Sequence, residues 1–262
     1  ASLPLVPLQS PRACRPRSSF VGSAGSMKGK AMTIRVRPRR SVLYMPGSNA
    51  RALDKAKELP ADGLILDLED AVAPDAKATA RRQVCDAVKG GGYGGRELII
   101  RVNGQDTPWG ADDIAAAAAA GADAILLPKV ESAEQVHKAE HLIFGRHGAS
   151  EATAIWCMME TPLGILRAES IAAASPRIAC LVMGTSDLTK DLHARHTPAR
   201  EPMLTALSLC LLAARAHGKV ILDGVHLDLA DEAGFVENCR QGLALGFDGK
   251  TLIHPKQVEP CN

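Results

Sequence analysis

Eight short apolar runs, separated by alanine-rich stretches that favour helix, constrain this chain more than any other feature of its sequence. The runs are Ser41–Met45, Gly63–Leu68, Leu98–Asn103, Ala124–Val130, Ala154–Met159, Ile178–Met183, Lys219–Val225 and Lys250–His254. Each is nearly continuous in apolar character, as a parallel strand covered on both faces requires. The intervening segments are long enough for crossover helices. Ser132-x-x-Gln135 predicts a capping box, and Ser48-Asn49 can cap the first helix. Leu204, Leu207, Leu211 and Leu212 predict an apolar helical stripe. Eightfold alternation favours an α/β fold closed as a (β/α)₈ TIM barrel over an open doubly wound sheet. Only Pro255–Asn262 follow the last run, so the expectation is a barrel lacking its last helix and C-terminal lid.

Composition narrows the classes further. Of 262 residues, 46% are hydrophobic but only 3% aromatic, so the core must rest on Leu, Ile, Val and Ala. A formal charge of +2 does not point to nucleic acid as a partner. No apolar run reaches the roughly 18 residues of a membrane span. The seven cysteines show no C-x-x-C spacing and read as reduced small hydrophobes of an intracellular protein. The glycines of 90–95 precede a strand instead of joining a strand to a helix, so a dinucleotide-binding reading fails its context. Ala115–Ala120 reads simply as helix.

The N-terminus differs. No Asp or Glu occurs before Asp54, while Arg12, Arg15, Arg17, Arg35, Arg37, Arg39 and Arg40 accumulate among Ser, Ala and Pro. That composition resembles an organelle transit peptide. Residues 1–38 are therefore expected to be disordered and to target a mitochondrion or chloroplast, with a cytoplasmic location as the alternative. The barrel domain is expected over 39–262.

Polar residues at the C-terminal ends of barrel strands line the active face. Here strand two ends in Asp67, Glu69 and Asp70, strand three in Arg101 and Asn103, and strand four in Lys129 and Glu131. Strand five ends in Glu160, strand six runs into Thr185, Ser186 and Asp187, strand seven carries Asp223, and strand eight stops at His254. Glu160 and Asp187, on adjacent strands, could converge on one ion. Carboxylates without accompanying His or Cys suit Mg²⁺ better than zinc. Such an ion would polarise a 2-oxo acid, with Arg101 beside it for a carboxylate or enolate. That is equipment for aldol cleavage. A Schiff base at Lys129 is the rival mechanism, opposed by Glu131 holding the amine protonated.

At these residues the chain resembles the HpcH/HpaI aldolase/citrate lyase β-subunit family, in its malyl-CoA and citramalyl-CoA lyase branch. The matching stretches are RSVLYMPGSNA (40–50), LDLEDAV (66–72), RVN (101–103), LPKVES (127–132), ETP (160–162), GTSDLTKDL (184–192), ILDGV (221–225) and GKTLIHPKQ (249–257). The resemblance implies a (β/α)₈ barrel, Mg²⁺ (or Mn²⁺ in its place) and CoA thioester substrates. It implies Glu160 and Asp187 as metal ligands, Arg101 on substrate oxygen, and Asp67, Glu69 and Asp70 as the supporting acidic cluster. Lys129, Gly184, Thr185 and Ser186 would meet substrate. Ser41, Tyr44, Pro46, Asn49 and His254 would meet CoA. A small acyl-CoA and a 2-oxo acid are the implied partners, in a homo-oligomer, trimer or hexamer. Malyl-CoA hydrolysis and a catalytically impaired structural or regulatory subunit are the alternatives.

Overall fold

The computed structural model describes residues 37–145 and 152–262; the transit-peptide expectation for the N-terminus therefore lies outside the described residues, apart from 37 and 38. Eight parallel strands close into one barrel in sequence order. They are β1 (Ser41–Pro46), β2 (Gly63–Asp67), β3 (Glu97–Arg101), β4 (Ala124–Leu127), β5 (Ala154–Met159), β6 (Ile178–Met183), β7 (Val220–Asp223) and β8 (Gly249–Leu252). Closure comes from β1 pairing with β8, Val42 opposite Thr251. The helices are α1 (Ala50–Lys55), α2 (Lys77–Gly90), α3 (Gly110–Ala120), α4 (Ala133–Phe144), α5 (Pro162–Leu166), α6 (Ala168–Ala173), α7 (Thr185–Asp191), α8 (Leu204–Ala216), α9 (Glu232–Leu245) and α10 (Val258–Cys261). After β8 come a 3-10 turn (Pro255–Gln257) and the four-residue α10.

Local sequence sets several of these boundaries. Ser132 and Gln135 form the capping box that opens α4, and Asn49 accepts from the Ala52 amide to start α1. Gly121 and Gly246 end α3 and α9 in the left-handed conformation that glycine adopts without penalty. The α8 stripe falls differently from the leucine spacing. Its buried face is Ala206, Leu207, Cys210, Ala213 and Ala214, while Leu212 is 65% exposed. Small residues let the helix approach the strands there, and the flanking leucines turn outward.

Period-two alternation divides the strands between two cores. One face packs under the helices, with Leu64, Leu66, Ile100, Ile125, Leu127 and Leu181 fully or almost fully buried. The other fills the barrel with Val42, Ile65, Ile99, Leu126, Trp156, Met158, Val182 and Leu222. Following that interior column upward places the functional side chains. Asp67 succeeds Ile65, Arg101 succeeds Ile99, Tyr44 succeeds Val42, and Glu160 succeeds Trp156 and Met158.

The opposite end is closed by arginines. Arg39 makes a two-point ion pair with Glu97 at 2.6 and 2.8 Å and lies 5.1 Å over the Trp156 ring. Arg40 pairs with Asp62 at 2.8 Å. Arg37 pairs with Asp123 at 3.0 Å.

Candidate active site

Asp67 and Arg101 are register partners on β2 and β3, so their side chains emerge side by side into the barrel mouth. Arg101 Nε and Nη2 each donate to one Asp67 oxygen at 2.7 Å. Its Nη1 lies 3.0 Å from Glu69 and 3.1 Å from Asp70. Three guanidinium N–H groups thus donate to carboxylates, Glu69 sits within ion-pair distance of Nη1, and an N–H on Nη2 remains for another oxygen. The guanidinium rests 5.0 Å from the centre of the Tyr44 ring, a cation–π contact. Burial alone would depress the arginine's pKa, but the Asp67 hydrogen bonds and the surrounding anions raise it well above its ordinary value. Arg101 is a fixed cation.

The acidic loop after β2 is held from below. Asp67 accepts from the Glu69 and Ala71 amides at 2.9 and 3.1 Å, bending the chain over its own carboxylate. Lys77, almost fully buried, donates to the Leu68 and Glu69 carbonyls at 2.9 and 2.6 Å. Asn103 also donates to Leu68 O and is fixed by Asp113, which in turn pairs with Arg81. Nothing in the sequence singles out Lys77 or Asp113, since each sits in a helical pattern that surface charge explains equally well.

Across the mouth stand Glu160 and Asp187. Glu160 is 2% exposed, and one of its oxygens accepts from the Lys129 amide at 2.8 Å. Gly184 makes room for it: a Cβ at that position would fall 2.5 Å from Glu160 Oε2. Asp187 lies in the first turn of α7, and its carboxylate meets the Lys129 ammonium at 3.6 Å. Lys129 takes a left-handed backbone, φ +47°, which costs a non-glycine residue about 1–2 kcal/mol. This strain at a strand end is characteristic of functional sites. The partner expected for Lys129 was Glu131; the ion pair runs instead to Asp187, because the left-handed turn carries the side chain across the mouth.

A cavity of about 440 Å³ joins these groups. Tyr44, Pro46, Asp67, Asp70, Arg101, Glu160, Gly184, Thr185, Ser186 and Asp187 line it, all of them singled out in the sequence. Its apolar wall is Met45, Met158, Met183, Val225, Leu227 and Ile253. Their apolar character does not set them apart in the sequence from the core, although all lie near or just beyond strand ends. Glu69 stands behind Arg101 and is not among the residues lining the cavity.

Three expected CoA contacts do not line this cavity. Ser41 occupies the N-terminal end of β1, where its hydroxyl donates to Asn262 at 2.7 Å and is fully buried. Six residues of strand separate the two ends of the motif by roughly 16 Å at 3.3 Å per residue, so Ser41 belongs to the barrel's floor. His254 caps the turn after β8 through Nδ1, accepting from the Lys256 amide, and lines a separate cavity with Phe235 and Pro260. Asn49 is exposed and serves as the α1 cap.

The electrostatics of the mouth call for a cation. Burial pushes Glu160 up to about 7, with Asp187 adding to the rise against the opposing Lys129 amide and Arg101. Burial pushes Glu69 up to about 8, and Asp70 and Glu160 reinforce it against Arg101. Asp67, Glu69, Asp70, Glu160 and Asp187 outnumber the cations among them. The Ser186 hydroxyl is buried without a hydrogen-bond partner at the start of α7, a further oxygen available to a ligand in the mouth. Among the described residues no three acidic, His or Cys groups form a complete metal cage. Two carboxylates with the remaining positions left to water or substrate is the arrangement Mg²⁺ favours. The residues present therefore fit such an ion.

The model of the HpcH/HpaI aldolase/citrate lyase family matches residues 40–255. This chain belongs to that family. The (3S)-malyl-CoA thioesterase of Cereibacter sphaeroides is 51% identical over 231 residues, covering 88% of this chain and 78% of that protein. Citrate lyase subunit beta of Escherichia coli is 39% identical, covering 86% and 76%. Among solved structures, the CitE protein of Mycobacterium tuberculosis in complex with magnesium, acetoacetate and coenzyme A has a TM-score of 0.71 at 30% identity. That match covers 87% of this chain and 80% of that one. The enzyme class read from the sequence, a lyase of the aldolase/citrate lyase family, stands on these relationships.

Proposed function

We propose that this chain is a divalent-cation-dependent lyase acting on a short 3-hydroxyacyl-CoA of the malyl type. It would release acetyl-CoA or a homologue together with a 2-oxo acid. The observation that carries this reading is the convergence of Glu160, Asp187 and the Asp67-fixed Arg101 on one cavity. The family relationship supports it, as does the magnesium, acetoacetate and coenzyme A complex of the Mycobacterium tuberculosis relative.

Glu160 and Asp187 would hold the ion. When bound, it supplies Lewis acidity to the oxygens that become the 2-oxo acid. The rest of the chemistry falls to the chain. As the carbon–carbon bond breaks, the 3-hydroxyl passes its proton to a base and the bonding pair passes into the thioester enolate. That enolate is then protonated at carbon to give the acyl-CoA product. Arg101, with one N–H uncommitted, offers a fixed positive charge where the enolate oxygen develops. Because Asp67 already holds the guanidinium, little reorganisation is needed when that charge appears.

Hydrolysis of malyl-CoA is the second reading, favoured by the 51% identity to proteins named malyl-CoA thioesterase. One experiment separates them. The protein is incubated with Mg²⁺ and malyl-, methylmalyl-, citramalyl- and citryl-CoA, and products are identified by mass spectrometry. Glyoxylate with acetyl-CoA from malyl-CoA means cleavage, and free malate means hydrolysis. Turnover of none of the four would overturn both.

A further inference from the structure

Lys129 touches both carboxylates assigned to the ion. Its amide donates to Glu160 at 2.8 Å, and its ammonium meets Asp187 at 3.6 Å. The two contacts differ in permanence. The first uses backbone fixed at the end of β4, whereas the second uses a flexible side chain that is 54% exposed. Asp187 itself is only one-third exposed, so few approaches to its carboxylate remain. An ammonium and a dication cannot both sit against that group, because like charges at such a separation repel strongly in a half-buried site.

We propose that Lys129 is an internal competitor for the divalent cation: the ion displaces its ammonium from Asp187, and the released side chain then anchors the carboxylate of the incoming substrate. This inference rests on the metal reading given above. The exchange is cation for cation. Burial draws the lysine's pKa down, but Glu69, Asp187, Glu160 and Asp70 outweigh it and keep the amine charged. That charge also argues against a nucleophilic lysine. A tethered ammonium gives the site a counter-ion that yields to a dication but resists monovalent ions. It also couples metal loading to the appearance of a free positive charge at the mouth.

The test uses the whole chain with Mg²⁺ and glyoxylate as probes. In calorimetric titration, Lys129→Met should bind Mg²⁺ about three- to tenfold tighter than the wild type, while Lys129→Arg, which keeps a cation, should not. With Mg²⁺ saturating, Lys129→Met should bind glyoxylate more weakly by a similar factor. These opposite signs would not arise from a lysine that merely supports the fold. Displacement has its own readout: Mg²⁺ should accelerate acetylation of Lys129 by acetic anhydride, measured on the tryptic peptide. Wild-type protein that binds Mg²⁺ while Lys129→Met binds it no tighter would overturn the competition. Unchanged acetylation would overturn the displacement, and unchanged glyoxylate affinity the anchoring. A wild type that binds no Mg²⁺ at pH 8 would instead overturn the metal reading itself.

Discussion

Arg101 and Asp67 are opposite one another in strand register and joined by two hydrogen bonds of 2.7 Å. The pairing makes the guanidinium's planar fork, and not merely its charge, the functional unit. A lysine would keep the cation but could not satisfy both Asp67 oxygens along with Glu69 and Asp70. Arg101→Lys should therefore lower kcat/KM for the preferred acyl-CoA by about 10²–10³, with Mg²⁺ affinity changed far less. A loss under threefold would show that the fork does not matter.

Asp187 has a different role, because its carboxylate stands one-third exposed at the start of α7 and carries none of the barrel's packing. Asp187→Ala should abolish Mg²⁺-dependent turnover while leaving the far-ultraviolet circular dichroism spectrum and cooperative melting unchanged. Retained turnover in that variant would remove the central support for the proposed reaction.

The fold and most of the mouth were legible in the sequence for one physical reason. Parallel strands covered on both faces must be continuously apolar, so a polar residue stands out where each one ends. The period-two column from Ile65 to Asp67 and from Ile99 to Arg101 made the acidic and basic groups visible. Longer-range pairing was not legible. Nothing in the spacing of Lys129 and Glu131 reveals that a left-handed backbone sends the lysine to Asp187. Nor does a motif reveal which of its residues lies at which end of a strand, and so Ser41 belongs to the floor while Pro46 lines the cavity.

Burial raises Glu69 to about 8 and Glu160 to about 7 in the folded chain, against roughly 4.3 for an unfolded glutamate. Between these values the folded state binds more protons than the unfolded state. Stability therefore falls as pH rises through that window. The melting temperature should drop from pH 5.5 to pH 8 in metal-free buffer, and millimolar Mg²⁺ should recover part of the loss at pH 8. Glu69→Gln should flatten the dependence. An identical slope in that variant would show that Glu69 does not titrate in this range.

Gly184 tests how tightly the ligand set is built. A methyl group there would lie 2.5 Å from Glu160 Oε2, well inside contact distance. It would also lie 2.4 Å from Glu160 Cβ, so the backbone at the ends of β5 and β6 would have to part and carry the carboxylate out of the position it shares with Asp187. Gly184→Ala should weaken Mg²⁺ binding at least tenfold in calorimetry, with a smaller effect on melting. Unchanged affinity would mean that the strand ends can part without moving the Glu160 carboxylate from the ion.

Lys77 carries the last prediction, because it lies beneath the site and touches no part of the cavity. Its ammonium, almost fully buried, donates to two carbonyls of the loop that bears Glu69 and lies 5.6 Å from the centre of the Trp109 ring. Burial draws its pKa down, whereas Asp67 and Glu69 oppose that shift, so the charge is held where the acidic loop can use it. Lys77→Met keeps the side chain's bulk but removes the donor. Each carbonyl keeps one other donor, Asn103 for Leu68 and the Val72 amide for Glu69, but both lose the ammonium. Urea unfolding should show a loss of about 1.5–3 kcal/mol, the net contribution of hydrogen bonding by a charged donor. Because the loop also fixes Asp67 and Glu69 around Arg101, kcat should fall while KM for the acyl-CoA stays within about twofold. A loss of stability with kcat intact would make Lys77 a fold residue alone.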